Sequence, residues 1–74
     1  MTAGTVMAEV LADLEIGDEL TYENVFGQVF TGRVVETSGD RVCISRPDWP
    51  RPEWIKADEY RLHAWVSKSG PVEW

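Results

Sequence analysis

Cys43 and His63 are the side chains whose types could combine into a nucleophile and its general base, and they are the one cysteine and the one histidine of the chain. A thiol beside an imidazole is the pairing that cysteine nucleophiles use. Such a site also needs a group that orients the imidazole and donors for an oxyanion, and no motif in the sequence supplies either. We therefore expect a protein that is not an enzyme, with Cys43 as a small buried residue and His63 as a surface or packing residue.

The same two residues limit metal and cofactor chemistry. A structural zinc site usually has four cysteine or histidine ligands, and a single cysteine cannot form a disulfide within its chain. The sequence therefore predicts no metal and no cofactor. It shows no basic segment followed by an apolar run, and no apolar stretch approaches the roughly 20 residues that span a bilayer. We expect a cytoplasmic protein that does not associate with a membrane.

Aromatic side chains are better candidates for a binding surface. Exposed rows of aromatic rings bind extended peptides, including proline-rich segments. The alternative is that the rings form the core, since a chain of 74 residues buries only about 60% of its unfolded surface and each aromatic adds roughly 150–250 Å². Trp49 lies among Pro47, Pro50 and Pro52, which stiffen its loop, and we expect it to be the most exposed ring. The candidate partner-binding residues are Trp49, Trp54, Tyr60 and Trp65.

The charge of the chain bears on two further hypotheses. Thirteen acidic and seven basic residues give a net charge of −6, which disfavours nucleic-acid binding by phosphate neutralisation. An arginine strip with tryptophans as stacking platforms could still bind single strands, and the carboxylates could instead mimic a phosphate backbone and inhibit a nucleic-acid-binding partner. The acidic, lysine-poor composition also resembles that of halophilic proteins. The alternative nucleic-acid contacts are Arg33, Arg41, Arg46, Arg51 and Arg61.

The first element that must position these side chains is an amphipathic α-helix predicted over residues 5–15. Its apolar residues have the i, i+3, i+4, i+7 spacing of one helical face. Thr5 is the expected N-cap, and Gly17 is the expected left-handed residue after the last turn. The apolar face consists of Met7, Val10, Leu11 and Leu14.

Five strands are expected after the helix. Strict alternation places Leu20 and Tyr22 on one side of the first strand. Gly32 inside the second strand indicates a bulge or a sharp bend, and Ser38–Asp40 supplies a hairpin turn. Between the third and fourth strands the prolines prevent strand pairing. The expected strands cover residues 18–23, 28–37, 41–45, 54–56 and 61–66.

The stretch Trp54–Val66 is expected to organise the core as a strand, one helical turn over Ala57–Tyr60 and a second strand. Alternation along the second strand predicts two faces. The core face has Leu62, Ala64 and Val66, and the outward face has Arg61, His63 and Trp65. The tail over residues 67–74 is predicted to be flexible until its last residues, with Trp74 folding back or engaging a partner.

The order of these elements resembles an SH3-like small β-barrel over residues 17–66. In this resemblance Ala57–Tyr60 corresponds to the 3-10 turn before the last strand, and Gly17–Leu20 to the entry to the first. It implies a mainly β, five-stranded barrel within one domain of residues 1–74, to which the helix and the tail are additions. SH3-like proteins include peptide-binding, methyl-lysine-binding, RNA-associated and structural members, so fold alone leaves function open.

Taken together, the sequence predicts a small non-enzymatic module that binds a protein or peptide partner through an aromatic surface. The alternatives are a nucleic-acid-associated small barrel that uses arginine and tryptophan, and an acidic inhibitor that mimics nucleic acid.

Overall fold

Antiparallel strands make up most of the secondary structure in residues 5–72, which are the residues that the computed structural model describes. The strands are β1 (Thr5–Val6), β2 (Glu19–Glu23), β3 (Val29–Ser38), β4 (Arg41–Ser45), β5 (Glu53–Lys56), β6 (Arg61–Ser67) and β7 (Gly70–Pro71). Short 3-10 turns cover Met7–Glu9, Leu11–Asp13 and Ala57–Glu59. Within residues 5–72 there is no helix long and apolar enough to cross a membrane. The prediction of a mainly β protein is confirmed.

The strands form one sheet in the order β1-β6-β2-β3-β4-β5, with β7 paired to β6. All of these pairings are antiparallel. The sheet is open, because among the described residues β5 pairs with β4 alone. The five longer strands are the ones that alternation predicts. The two-residue strands β1 and β7 are additions that the sequence did not predict.

The predicted α-helix over residues 5–15 is wrong. The chain begins there with β1, which pairs with β6, and continues through two separate 3-10 turns. Val10, between the turns, has a φ of −115°, which interrupts a continuous helix. Pairing with β6 fixes the start of the segment in an extended form. The few residues that remain could form only a short helix, which is marginally stable by itself. The apolar spacing still marks the buried side, since Met7, Val10 and Leu14 all belong to the core.

Alternation along β2 supplies the middle of the core. Leu20 and Tyr22 are fully buried, whereas Glu19, the residue before Leu20, is exposed. This is the pattern that a period of two requires. Val34 of β3 and Ile44 of β4 are also fully buried and lie opposite each other in the sheet. The buried cluster consists of Met7, Val10, Leu14, Leu20, Tyr22, Val34, Val42, Ile44, Ile55, Ala57, Leu62 and Trp65.

A β-bulge changes the predicted faces of β6. The strand pairs with β2 around an extra residue, His63, which has no residue opposite it. Such a residue shifts the alternation by one, so every following side chain changes face. Trp65 is therefore buried at 6% exposure, and Val66 is 39% exposed. The prediction of an outward Trp65 and a core Val66 is wrong, whereas Leu62, which precedes the bulge, is buried as predicted.

The buried indole of Trp65 is hydrogen bonded to a buried carboxylate. Trp65 Nε1 donates to Asp18 Oδ2 at 2.8 Å, and the backbone amide of Glu15 donates to the same oxygen at 3.0 Å. The backbone carbonyl of Asp18 accepts from the amide of Val34 at 2.8 Å. Asp18 therefore joins the entry of β2 to both β3 and β6 while it is only 1% exposed.

Close packing explains Gly32 in the middle of β3. A Cβ at position 32 would lie 2.3 Å from Ile44 Cγ2 and 3.0 Å from Arg46 Cγ. The bulge in β3 lies instead at Val35, which has no residue opposite it in β4. Glycine is needed at position 32 because the end of β4 crosses so near to β3.

The end of the described chain folds back along β6. In the β6–β7 hairpin Ser67 lies opposite Gly70. The amide of Val72 donates to the carbonyl of Trp65 at 2.9 Å, and its side chain packs against the core. The predicted flexible tail is thus paired with the sheet up to residue 72, while Trp74 lies outside the described residues.

Replacing Trp65 with phenylalanine should lower the free energy of unfolding by about 2 kcal/mol, because the change removes a hydrogen bond to a buried carboxylate. Urea unfolding would measure it. Trp54→Phe is the matched control, since Trp54 is 44% exposed and a surface change should stay within about 0.5 kcal/mol. Equal losses in the two variants would contradict a stabilising role for the indole hydrogen bond.

Gly32→Ala should destabilise the protein by about 1–3 kcal/mol, the usual cost of over-packing a core. Thermal unfolding followed by circular dichroism would detect the change. Ser38→Ala, at the exposed end of the same strand, should have little effect. An unchanged melting temperature for Gly32→Ala would mean that the end of β4 can move aside without cost.

Candidate functional site

The four aromatic residues predicted to bind a partner lie in three different environments. Trp65 is buried within the sheet. Trp54 lies on the edge strand β5, opposite Cys43 of β4, and is 44% exposed. Trp49 and Tyr60 are half-buried, and each packs against the core. Trp49 and Tyr60 are thus the two predicted residues that share an environment, and the expectation that Trp49 is the most exposed ring is wrong, because Trp54 is more exposed.

Trp49 belongs to a stack built around Arg46. The guanidinium carbon of Arg46 lies 4.1 Å from the ring centre of Phe30 and 4.1 Å from that of Trp49, so the cation is held between two aromatic faces. Arg46 Nε donates to Asp48 Oδ1 at 2.8 Å, and a terminal nitrogen donates to the other carboxylate oxygen. Such a bidentate pair fixes both position and orientation. The stack therefore holds Trp49 in place although its loop contains three prolines.

The stack continues through further aromatic rings to Tyr60. The ring centres of Tyr22 and Phe30 are 5.8 Å apart. Those of Tyr22 and Tyr60 are 5.4 Å apart with the rings at 80°, an edge-to-face contact of the kind that aromatic pairs prefer. We call this continuous set of side chains the aromatic row. It consists of Trp49, Arg46, Phe30, Tyr22 and Tyr60.

Tyr22 is the buried base of the aromatic row. Burial raises the pKa of its hydroxyl to about 12, and the charge of Arg46 opposes that shift. The hydroxyl lies near the guanidinium but makes no hydrogen bond of acceptable geometry with the described residues. Tyr22 is therefore neutral at physiological pH. The row presents ring faces and a cation that Asp48 neutralises.

Local sequence explains why Arg46 reaches this position. Arg46 follows the last residue of β4, and Pro47 after it fixes φ so that the chain leaves the sheet. The amide of Trp49 donates back to the carbonyl of Arg46 at 3.1 Å, which closes a turn. The missing Cβ of Gly32 leaves room for the aliphatic stem of Arg46. The turn and the glycine together bring the guanidinium between the two rings.

The loop between β2 and β3, residues 24–28, carries an aromatic side chain that the sequence analysis missed. Asn24 Oδ1 accepts from the amides of Phe26 and Gln28, both at 2.9 Å. Gly27 takes a φ of +81°, which closes the turn. At its tip Val25 is 75% exposed and Phe26 is 85% exposed. We call residues 24–28 the apolar loop. The sequence feature that could have predicted this site is the presence of two large apolar residues, Val25 and Phe26, within a predicted turn.

A cleft of about 230 Å³ lies between the apolar loop and Tyr60. An adjoining cleft of about 160 Å³ extends toward β1 and β6. Together they form a groove at the Tyr60 end of the aromatic row. The first cleft is lined by Asn24, Val25, Phe26, Glu59 and Tyr60. The second shares four of these residues and adds Val6, Glu23, Asp58 and Arg61.

The five arginines considered as nucleic-acid contacts lie on different parts of the fold. They are Arg33 on β3, Arg41 on β4, Arg46 and Arg51 in the loop between β4 and β5, and Arg61 on β6. Arg46 is paired with Asp48 inside the aromatic row, whereas the other four are exposed. Arg33 and Arg46 line an open depression of about 340 Å³ together with the carboxylate of Glu19. The charge of that depression is therefore mixed.

Cys43 and His63 are not brought together. Cys43 lies on β4 and His63 on β6, and β2 and β3 lie between these strands in the sheet. Cys43 is buried, and burial raises the pKa of its thiol, which disfavours the reactive thiolate. His63 Nε2 instead lies 2.6 Å from Glu23 Oε1. The geometry therefore gives no cysteine–histidine pair.

The Arg46–Asp48 pair can be tested by titration. Hydrogen bonding to Arg46 holds the pKa of Asp48 below its ordinary value of 3.8, so any stability that the pair contributes is present above that value and is lost as pH falls through the lowered pKa. In Arg46→Gln the Asp48 carboxyl carbon should titrate near 3.8 again by NMR. Arg51→Gln, in the same loop, should leave the titration unchanged. Identical midpoints in the wild type and Arg46→Gln would contradict the pairing.

Comparisons with protein-family models, with curated proteins and with solved structures each gave no match to this chain. Its function is therefore inferred from the side-chain geometry and the charges described above.

Proposed function

We propose that this chain is an SH3-like small β-barrel of one domain that binds a protein or peptide partner through the aromatic row. Support for the barrel comes from the sequence of elements β2 to β6. They include a hairpin between β3 and β4, a long loop before β5 and a 3-10 turn before β6. β6 also returns to pair with β2, so the first and last of these five strands are neighbours in the sheet, while β5 forms its open edge.

Support for binding comes from the half-buried rings of the row. Phe30, Trp49 and Tyr60 each use part of the ring to pack against the core and retain solvent-exposed surface. Rings that a core holds in one orientation lose little conformational entropy when a partner binds. Aromatic residues of this kind dominate the energetics of protein interfaces. The continuity of the row is the observation that carries the proposal.

An extended peptide segment is the partner form that the row fits best. Successive ring faces suit side chains that repeat along an extended backbone. The Arg46 guanidinium is already satisfied by Asp48 and the two rings, so it adds rigidity more than charge. Phe26 extends the apolar surface beyond Tyr60. Catalysis forms no part of the proposal.

The arginine-based nucleic-acid alternative receives less support from the geometry. Arg46 is neutralised within the row, and Arg33 shares its depression with Glu19. Binding to a phosphate backbone depends on several unneutralised cations along one surface. Tight, salt-sensitive binding of a single-stranded oligonucleotide would favour the arginine hypothesis over the peptide hypothesis.

Selection of peptides from a displayed random library would test the proposal. Selected peptides should bind Trp49→Ala and Tyr60→Ala at least tenfold more weakly than the wild type, a loss of about 1.4 kcal/mol or more, as measured by fluorescence anisotropy. Trp54→Ala is the matched control, because Trp54 is an exposed tryptophan outside the row, and its affinity should change less than twofold.

Circular dichroism must show that the two row variants remain folded, because both side chains pack partly against the core. Two results would overturn the proposal. One is a library that yields no binder to the folded wild type. The other is a set of binders that Trp49→Ala and Tyr60→Ala retain in full while Trp54→Ala loses them.

A further inference from the structure

The groove between the apolar loop and Tyr60 combines aromatic rings with carboxylates. Phe26 and Tyr60 line its wider part, and Glu59 lies there with them. The adjoining part adds Glu23 and Asp58. An aromatic face and a carboxylate both attract a cation, and the rings can also cover an aliphatic chain. The groove thus has two kinds of group that suit one ligand type.

The apolar side of the groove is held in place by hydrogen bonds. The side chain of Asn24 accepts from two backbone amides of the loop and donates to Gln28 Oε1 at 2.8 Å. The backbone amide of Asn24 also donates to the carbonyl of Gln28 at 3.0 Å. Phe26 is nevertheless 85% exposed. An exposed ring on a loop that hydrogen bonds hold in place can contact a ligand without rearrangement of the loop.

The charge of the groove is negative. Among the residues that line its two parts, three carboxylates face one cation, Arg61. Glu23 Oε1 already contacts His63 Nε2 at 2.6 Å. Asp58 and Glu59 are exposed on the 3-10 turn. The net charge of −6 for the whole chain adds a long-range attraction for cationic ligands. Charge complementarity therefore selects a basic occupant over a neutral or acidic one.

We propose that this groove takes a lysine or arginine side chain of the peptide partner. The inference rests on the proposed function and adds the chemical class of residue that the partner must carry. The aliphatic stem of the basic side chain lies against Phe26 and Tyr60, and its cationic group is bound by the carboxylate of Glu59. A partner segment would then extend from this anchor along the aromatic row toward Trp49.

The direct test uses small probes and does not depend on any selected peptide. The folded wild-type chain is titrated with the Nα-acetyl methylamides of lysine, of arginine and of norleucine, and NMR follows the ring protons of Phe26 and Tyr60. The basic probes should give saturable shifts at these rings, and norleucine, which has an aliphatic stem without a charge, should bind at least fivefold more weakly. Glu59→Gln and Phe26→Ala should each weaken the binding of the lysine probe at least fivefold.

Asp13→Asn is the matched control for charge. It removes the same formal charge from an exposed residue of another turn, and the binding of the lysine probe should change less than twofold. Equal effects of Glu59→Gln and Asp13→Asn would overturn the inference, because they would indicate attraction to the overall charge alone. Equal shifts with norleucine would overturn it as well and would identify an aliphatic occupant.

The outcomes separate the two proposals. If selected peptides require Trp49 but bind Glu59→Gln and Phe26→Ala as tightly as the wild type, the basic anchor is wrong and the aromatic row stands. If the basic probes bind the groove and no peptide binds the row, the proposed function is wrong. Peptides in which norleucine replaces each lysine or arginine provide the final comparison, and at least a tenfold loss of affinity is expected for one such position.

Discussion

The buried hydrogen bond between Asp18 and Trp65 is the constraint on which the rest of the structure depends. A carboxylate at 1% exposure is costly unless its hydrogen bonds are satisfied. The indole nitrogen of Trp65 and the amide of Glu15 both donate to Oδ2, whereas Oδ1 has no hydrogen-bond partner among the described residues. The Asp18 backbone is bonded to Val34 of β3. One residue thus fixes how β2, β3 and β6 meet. Packing alone would not specify this register, since apolar contacts are non-directional.

The aromatic row depends on that register. Tyr22 lies four residues beyond Asp18, on the core side of β2, and forms the base on which Phe30 and Tyr60 pack. The row ends at a loop that a stacked arginine holds in place. A small domain rarely buries enough apolar surface to leave aromatic residues unused by its core. In this chain the same rings serve the core on one side and remain accessible on the other.

Periodicity in the sequence correctly predicted the parts of the fold in which buried and exposed side chains alternate regularly along a strand. The alternation of Leu20 and Tyr22 along β2 is an example. It failed where the backbone departs from a regular repeat. The bulge at His63 inverted the faces of β6 and moved Trp65 into the core. The stack of Arg46 between two rings was equally beyond prediction, because it joins residues from separate elements through a close approach that only Gly32 permits.

The open edge of the sheet at β5 has a consequence for how copies of the chain behave at high concentration. A strand with one unpaired edge can recruit a strand from another copy and start aggregation. β5 has only four residues, and it begins with Glu53 and ends with Lys56. Pro50 and Pro52 precede it, and proline lacks the amide that a longer intermolecular ladder needs. The prolines therefore limit the length over which a neighbouring molecule could pair, which protects an exposed Trp54 from becoming the centre of a fibril.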